Sequence, residues 1–243
     1  MLIRLFVALL LILSLPTPGV AARAQPTAEE MYELGVRYMK RGSPTKALEQ
    51  FNRVRTYYRD DPFALRAELA IADLQFERNE WDAARLGYED FLRAHPRYPE
   101  IDYVIYRLGL TCYKKAPSFA QRDQTWTQQA VNTWTRFNSR FPESAWRPEV
   151  DELLTKARER LARKELRIAE FYADRDAWAA VVGRLEPMLQ HFPATTERAA
   201  ALSLLGEAYS ETGRVDLANT MLERLRAESP QSRELRKLTR ALE

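Results

Sequence analysis

The sequence predicts an all-α superhelix of five helix-turn-helix units, and three observations carry that expectation. Small residues recur 37 positions apart at Gly35, Ala72 and Gly109, and again 37 apart at Ala169 and Gly206. Eight glycines in 243 residues are about half the usual ~7%, too few for many tight hairpins or for loops that cradle phosphates. Beyond Thr27 no apolar run reaches the ~18 residues of a membrane-spanning helix, while 46% hydrophobic and 29% charged residues can build a folded core.

Each unit can be justified in order. The first sets Gly35 before Ala47, Phe51 and Val54; the second sets Ala72 before Ala84, Tyr88, Phe91 and Pro96. The fourth repeats this with Ala169, Val181, Leu185, Met188 and Pro193, and the fifth with Gly206, Ala218, Leu222, Leu225 and Pro230. The third fits through Gly109, Ala130, Trp134, Phe137 and Pro142 once nine residues are inserted between its helices, within the polar segment Lys114 to Thr125. The first unit departs in placing Pro62 three positions late, and Gln75 and Cys112 stand where Tyr38, Tyr172 and Tyr209 put an aromatic ring. Gly109 and Ala169 are 60 apart, so 14 residues remain after the insertion; these lengthen the helix before the fourth unit by about four turns. That helix is expected from Pro148 to Tyr172, with Val150, Leu154, Ala157, Leu161 and Ile168 as its apolar stripe. Glu152 with Lys156 and Glu159 with Arg163 are expected to pair across one turn, each worth ~0.2 to 0.5 kcal/mol. The pattern resembles the tetratricopeptide repeat, in which small residues let two helices approach and a large apolar side chain fills the groove one turn on. Stacked units are expected to share one continuous core.

Residues 1–24 place Arg4 before the apolar run Leu5 to Leu15, followed by Pro16, Pro18 and small residues. This is the layout of a secretory signal peptide, with cleavage expected after Ala24 or after Ala22. Cys112 is the one cysteine, so no lipidated cysteine is expected near this start. Removing the segment leaves 35 Lys and Arg against 34 Asp and Glu, and so small a net charge argues against nucleic acid as a partner. The remainder divides into residues 25–146 with units one to three, and 147–243 with the long helix and units four and five, as one continuous solenoid.

Little of the sequence points to chemistry. One cysteine and two histidines exclude a disulfide framework and a Cys-rich zinc site. Glycine-rich nucleotide loops, HExxH and GxSxG are absent. His95 and His191 sit near the ends of second helices, which favours capping or surface roles. Cys112, among Leu108, Leu110 and Tyr113, reads as a small buried hydrophobe. Glu143-Ser144 resembles the acid-serine pair of lytic transglycosylases, but the Gly-Leu-Met-Gln segment that follows in those enzymes is missing. No catalytic residue, cofactor or metal is expected, and the concave face of a repeat array is the default place for a peptide or partner helix.

Two stretches, HPRYPEIDYVIYRLGL (His95 to Leu110) and RERLARKELRIAEFYADRDAWAAVVGRLEPMLQHFP (Arg158 to Pro193), closely resemble the BamD family, the tetratricopeptide subunits of the outer-membrane β-barrel assembly machinery. The likeness includes five units, the third-unit insertion and the long helix. It implies a non-enzymatic scaffold in the periplasm of a Gram-negative bacterium, at the inner face of the outer membrane. It implies as partners a POTRA domain of BamA, other subunits of that machinery and unfolded barrel proteins. Arg184 matches the family's arginine at the BamA contact, and Glu170, Tyr172, Arg175 and Trp178 lie in the same block. Tyr57, Tyr58 and Phe63 are the aromatic candidates for substrate peptide, although they could equally be the packing that replaces the displaced proline. Members of that family begin at a lipidated cysteine, so association through partners is expected here. The alternative is another periplasmic repeat scaffold, serving the Tol-Pal system or peptidoglycan.

Overall fold

A computed structural model describes residues 25–243; the expected signal segment and its cleavage sites lie outside the described residues. The described chain forms five helical pairs: α1 (Ala28–Lys40) with α2 (Pro44–Tyr57), α3 (Pro62–Glu77) with α4 (Trp81–Ala94), α5 (Ile101–Lys115) with α6 (Thr125–Arg140), α7 (Arg147–Ala173) with α8 (Trp178–His191), and α9 (Arg198–Glu211) with α10 (Val215–Glu228). A final helix, α11 (Arg233–Leu242), closes the array on α9 and α10. Local chemistry starts several of them. Thr27 and Glu30 form a reciprocal capping box on α1, Asp61 accepts from the Phe63 amide at 2.8 Å, and Pro44 and Pro62 occupy first-turn positions.

The repeated residues sit where the spacing places them. Ala47, Ala84, Ala130, Val181 and Ala218 are fully buried, as are Phe51, Tyr88, Trp134 and Leu185 one turn on. The glycines show why the first position is small. A Cβ on Gly35 would lie 2.6 Å from the Phe51 ring, and one on Gly109 would lie 2.3 Å from Trp134 Nε1. In the fifth unit the corresponding space over Gly206 is taken by Leu238 of α11 and by Met221.

Four of the five intra-unit turns close in one way. The residue at Gly42, Asn79, Asp176 or Gly213 takes a left-handed conformation, φ between 54° and 74°. The next amide then donates back to the carbonyl of Tyr38, Gln75, Tyr172 or Tyr209 at 2.7 to 3.0 Å. This is the Schellman closure, which satisfies helix-terminal carbonyls and turns the chain directly into the partner helix.

The third unit has the inserted segment instead. Gln124 is buried there and its amide donates to the carbonyls of Pro117 at 3.1 Å and Phe119 at 2.9 Å, while its oxygen accepts from Thr127. The loop is therefore pinned from inside rather than merely polar. The long helix α7 spans 27 residues, against 13 to 16 in α1 to α6.

Three features differ from the sequence expectations. The core is three apolar clusters rather than one, because α3 and α7 each bury opposite faces in neighbouring clusters: Ala67, Ile71 and Leu74 look back to α2, while Leu69, Ala72 and Phe76 look forward. Ile168 leaves the buried stripe; Ala162, Leu166 and Ala169 carry the inner face of α7 there, under α8. Glu159 does not pair with Arg163. Both reach to the α8–α9 loop, Glu159 accepting from the Thr196 amide at 2.9 Å and Arg163 pairing with Glu197 at 2.7 Å. The Glu152–Lys156 pair does form.

Candidate functional site

A cleft of about 700 Å³ opens between α6 and α8 with α7 as its floor. It exists because the extra turns of α7 carry the fourth unit away from the third. Gln128, Asn132 and Thr135 line one wall, Gly183, Arg184 and Pro187 the other, and Arg158, Leu161, Lys164 and Glu165 the floor. Arg184 is half-exposed and meets Glu165 through one nitrogen, Nη1 to Oε2 at 3.4 Å. Such a pair contributes about 0.2 to 1 kcal/mol. It leaves most of the guanidinium's five donors free for a carboxylate approaching from the cleft.

The other expected partner-binding residues gather at the α7–α8 corner. Glu170 is tied to Arg167 at 2.8 Å. Tyr172 and Trp178 pack against the C-terminal cluster, so each has a structural role beside any contact it offers. Arg175 donates to the Phe171 carbonyl at 2.9 Å and lies 3.6 Å from the centre of the Phe171 ring. Phe171 itself is 52% exposed. It was not among the residues the sequence singled out, because the same register position is buried in units two, three and five at Leu74, Thr111 and Ala208.

The three N-terminal aromatics separate. Tyr57, at the end of α2, is 72% exposed. Tyr58 turns back and its hydroxyl donates to the Pro26 carbonyl at 2.5 Å. Phe63 packs into the first cluster, 5.5 Å from Tyr32 between ring centres, with Arg66 over its face. Only Tyr57 is freely presented, beside a groove shared with Arg53 and Met31. A second N-terminal groove, of about 600 Å³, runs along α3 past Tyr32, Arg66, Tyr98 and Tyr103 to Asp73. Asp73 accepts from the Tyr88 and Tyr103 hydroxyls at 2.6 and 3.0 Å and pairs with Arg107 at 3.2 Å. Burial raises the Asp73 carboxyl, and the phenols and Arg107 work against that rise. The Tyr88 phenol is pushed up by the same burial and by the Asp73 charge.

A family model described as "Outer membrane lipoprotein", YfiO, matches residues 24–225. The chain belongs to the YfiO family. Among curated relatives, an "Outer membrane protein assembly factor BamD" of Xylella fastidiosa (strain 9a5c) is 27% identical over 211 residues, 83% of this chain and 72% of the relative. The proteins of that name in Pasteurella multocida (strain Pm70) and Vibrio cholerae are 27% and 26% identical, over 80% and 82% of this chain and 78% and 86% of theirs. Among solved structures it is similar to a thermophilic tetratricopeptide protein of Thermus thermophilus, 20% identical with a TM-score of 0.39, covering 89% of this chain and 99% of that one.

Within this YfiO-family chain the groups that carry chemistry elsewhere serve the fold. Cys112 is buried, and burial pushes its thiol up to about 11. His95 meets Glu68 at 3.1 Å and stands edge-on to Phe91; His191 contacts the Pro187 carbonyl at 2.7 Å. Ser144 donates to Asp102 at 2.6 Å and accepts from the Trp146 amide at 3.1 Å, which makes it part of the turn into α7. Among the described residues no three His, Cys, Asp or Glu side chains gather as a metal site would require, and no helix is long and apolar enough to cross a membrane.

Proposed function

We propose that this chain is a non-enzymatic scaffold of the outer-membrane protein assembly machinery, acting at the periplasmic face of the outer membrane. The observation that carries the reading is the match of residues 24–225 to one family, whose relatives bear the name of assembly factor BamD. In this reading the C-terminal half, residues 147–243, holds a POTRA domain of BamA, with Arg184 presenting its free donors to a carboxylate and Glu170, Tyr172, Arg175 and Trp178 adding contacts from the α7–α8 corner. The N-terminal half, residues 25–146, receives unfolded barrel proteins, with Tyr57 as the presented aromatic and Tyr58 and Phe63 holding the surface beneath it. The open cleft beside Arg184, with a single 3.4 Å contact to Glu165, supports the assignment of that arginine.

Co-purification of the Arg184→Glu variant with the periplasmic part of BamA tests it. Replacing a carboxylate-binding arginine by a like charge removes the attraction and adds repulsion, which at a partly buried interface costs about 2 kcal/mol or more. Binding should fall by about thirtyfold while helicity and melting stay unchanged. Unchanged affinity, or an unfolded variant, would remove Arg184 from the interface.

A further inference from the structure

Fourteen residues are close to four helical turns, so the lengthened α7 shows one face twice. The first showing, Val150, Leu154 and Ala157, is buried under α6 against Ala130, Val131, Trp134 and Phe137. The second, fourteen positions on, is Lys164, Ile168 and Phe171. Here α6 has already ended: Lys164 and Ile168 are half-buried and Phe171 is exposed. In every other unit after the first, this face lies under the second helix of the unit before it.

The surroundings indicate what would fit. The uncovered stretch of α7 from Lys164 to Phe171 is about 10 Å long at 1.5 Å per residue. On the α8 wall a Cβ at Gly183 would meet nothing within 4 Å. Pro187 has no amide to give the Gly183 carbonyl, which is left without its usual helical donor. Among the described residues Arg158, Lys164 and Arg175 have no carboxylate partner; of the acids nearby, Glu165 and Glu170 are already paired with Arg184 and Arg167, while Asp174 and Asp176 flank Arg175 without an ion pair. The face is therefore apolar in its middle, cationic along Arg158, Lys164 and Arg184, and mixed in charge at Arg175.

We propose that this face of α7 is a docking berth for one acidic amphipathic helix of a partner protein. Its apolar stripe would lie on Ile168 and Phe171, in the place α6 holds four turns earlier, and its carboxylates would meet Lys164, Arg175 and Arg184. The proposal rests on the partner-binding reading of Arg184 and states what that partner must present.

The test uses the purified full chain and two stapled 16-residue peptides built on the α6 sequence, one with glutamate and one with lysine at every solvent-facing position. By fluorescence anisotropy at low salt the glutamate peptide should bind at least about tenfold more tightly than the lysine peptide. Phe171→Asp and Gly183→Trp should each weaken it about tenfold or more, with melting unchanged because Phe171 is exposed and Gly183 borders open space. No binding, equal binding of the two peptides, or full binding by both variants would overturn the berth. So would a glutamate peptide that binds only by dispersing a self-associated chain in sedimentation, since the occupant would then be a second copy. A chain that recovers BamA from envelopes yet fails with the peptide keeps the assembly role and loses the berth; peptide binding without BamA means the reverse.

Discussion

Replacing Gly109 with alanine tests the packing on which the repeat reading depends. A glycine inside an exposed helix normally costs roughly 1 kcal/mol relative to alanine, so the substitution would ordinarily stabilise. At Gly109 the added methyl would lie 2.3, 2.6 and 2.8 Å from three atoms of Trp134. Trp134 is fully buried and its indole N–H donates to the Tyr106 carbonyl at 3.4 Å, so the ring cannot withdraw without opening the unit or orphaning its donor. Overpacking costs about 1 to 3 kcal/mol and a lost buried donor about 1 to 3 more. Against the helix gain of about 1 kcal/mol, a net loss of about 1 to 5 kcal/mol follows. For a chain of this size that lowers the melting midpoint by roughly 3 to 15 °C. Gly183→Ala is the control: with nothing within 4 Å of its Cβ, it should raise stability by up to about 1 kcal/mol. Far-UV circular dichroism with heat and urea reads both. A Gly109→Ala variant that melts at or above the parent would mean that Trp134 does not cross the glycine, and the unit register would be wrong.

Other substitutions separate the remaining contributions. Phe51→Ala empties the fully buried groove of the first unit and should cost about 3 to 5 kcal/mol in urea melts; a loss below about 1 kcal/mol would show that the first unit is not packed as described. Asp176 holds φ of 54° where the equivalent fifth-unit turn has Gly213. Asp176→Gly should therefore stabilise by about 0.5 to 1 kcal/mol, and a clear drop in midpoint would refute the left-handed closure. Burial lifts the Cys112 thiol from 9.0 to about 11. Between those values the unfolded chain loses that proton and the folded chain keeps it, so stability falls as pH rises through the window. The advantage of the parent over Cys112→Ala should shrink from pH 9 to pH 11, and a constant difference would place the thiol in water.

The parts of the fold that were legible are those where contact demands a residue type at a fixed distance along the chain. Gly35 with Phe51 and Gly109 with Trp134 are such pairs, and their spacing also located the insertion and a long helix within one residue of its ends, Arg147 and Ala173. Gly42, Asn79, Asp176 and Gly213 share one register at the turns, but the mixture of three residue types that tolerate left-handed backbone hides the period. The helix α11 was harder, since Leu238 is its one buried residue and ten residues leave a weak pattern. At the candidate site the difficulty is different. Tyr57, Tyr58 and Phe63 are near neighbours in sequence, yet a helix end between them sends one to solvent, one to Pro26 and one to the core. Phe171 is invisible because its register says buried; only the position at which α6 stops relative to α7 exposes it.

The assembly role rests most directly on what the chain touches in its own envelope. In-cell crosslinking of an epitope-tagged chain, followed by identification of the attached proteins, measures this. Recovery of BamA is expected, diminished in the Arg184→Glu variant. Recovery of Tol-Pal or peptidoglycan proteins without BamA would contradict it.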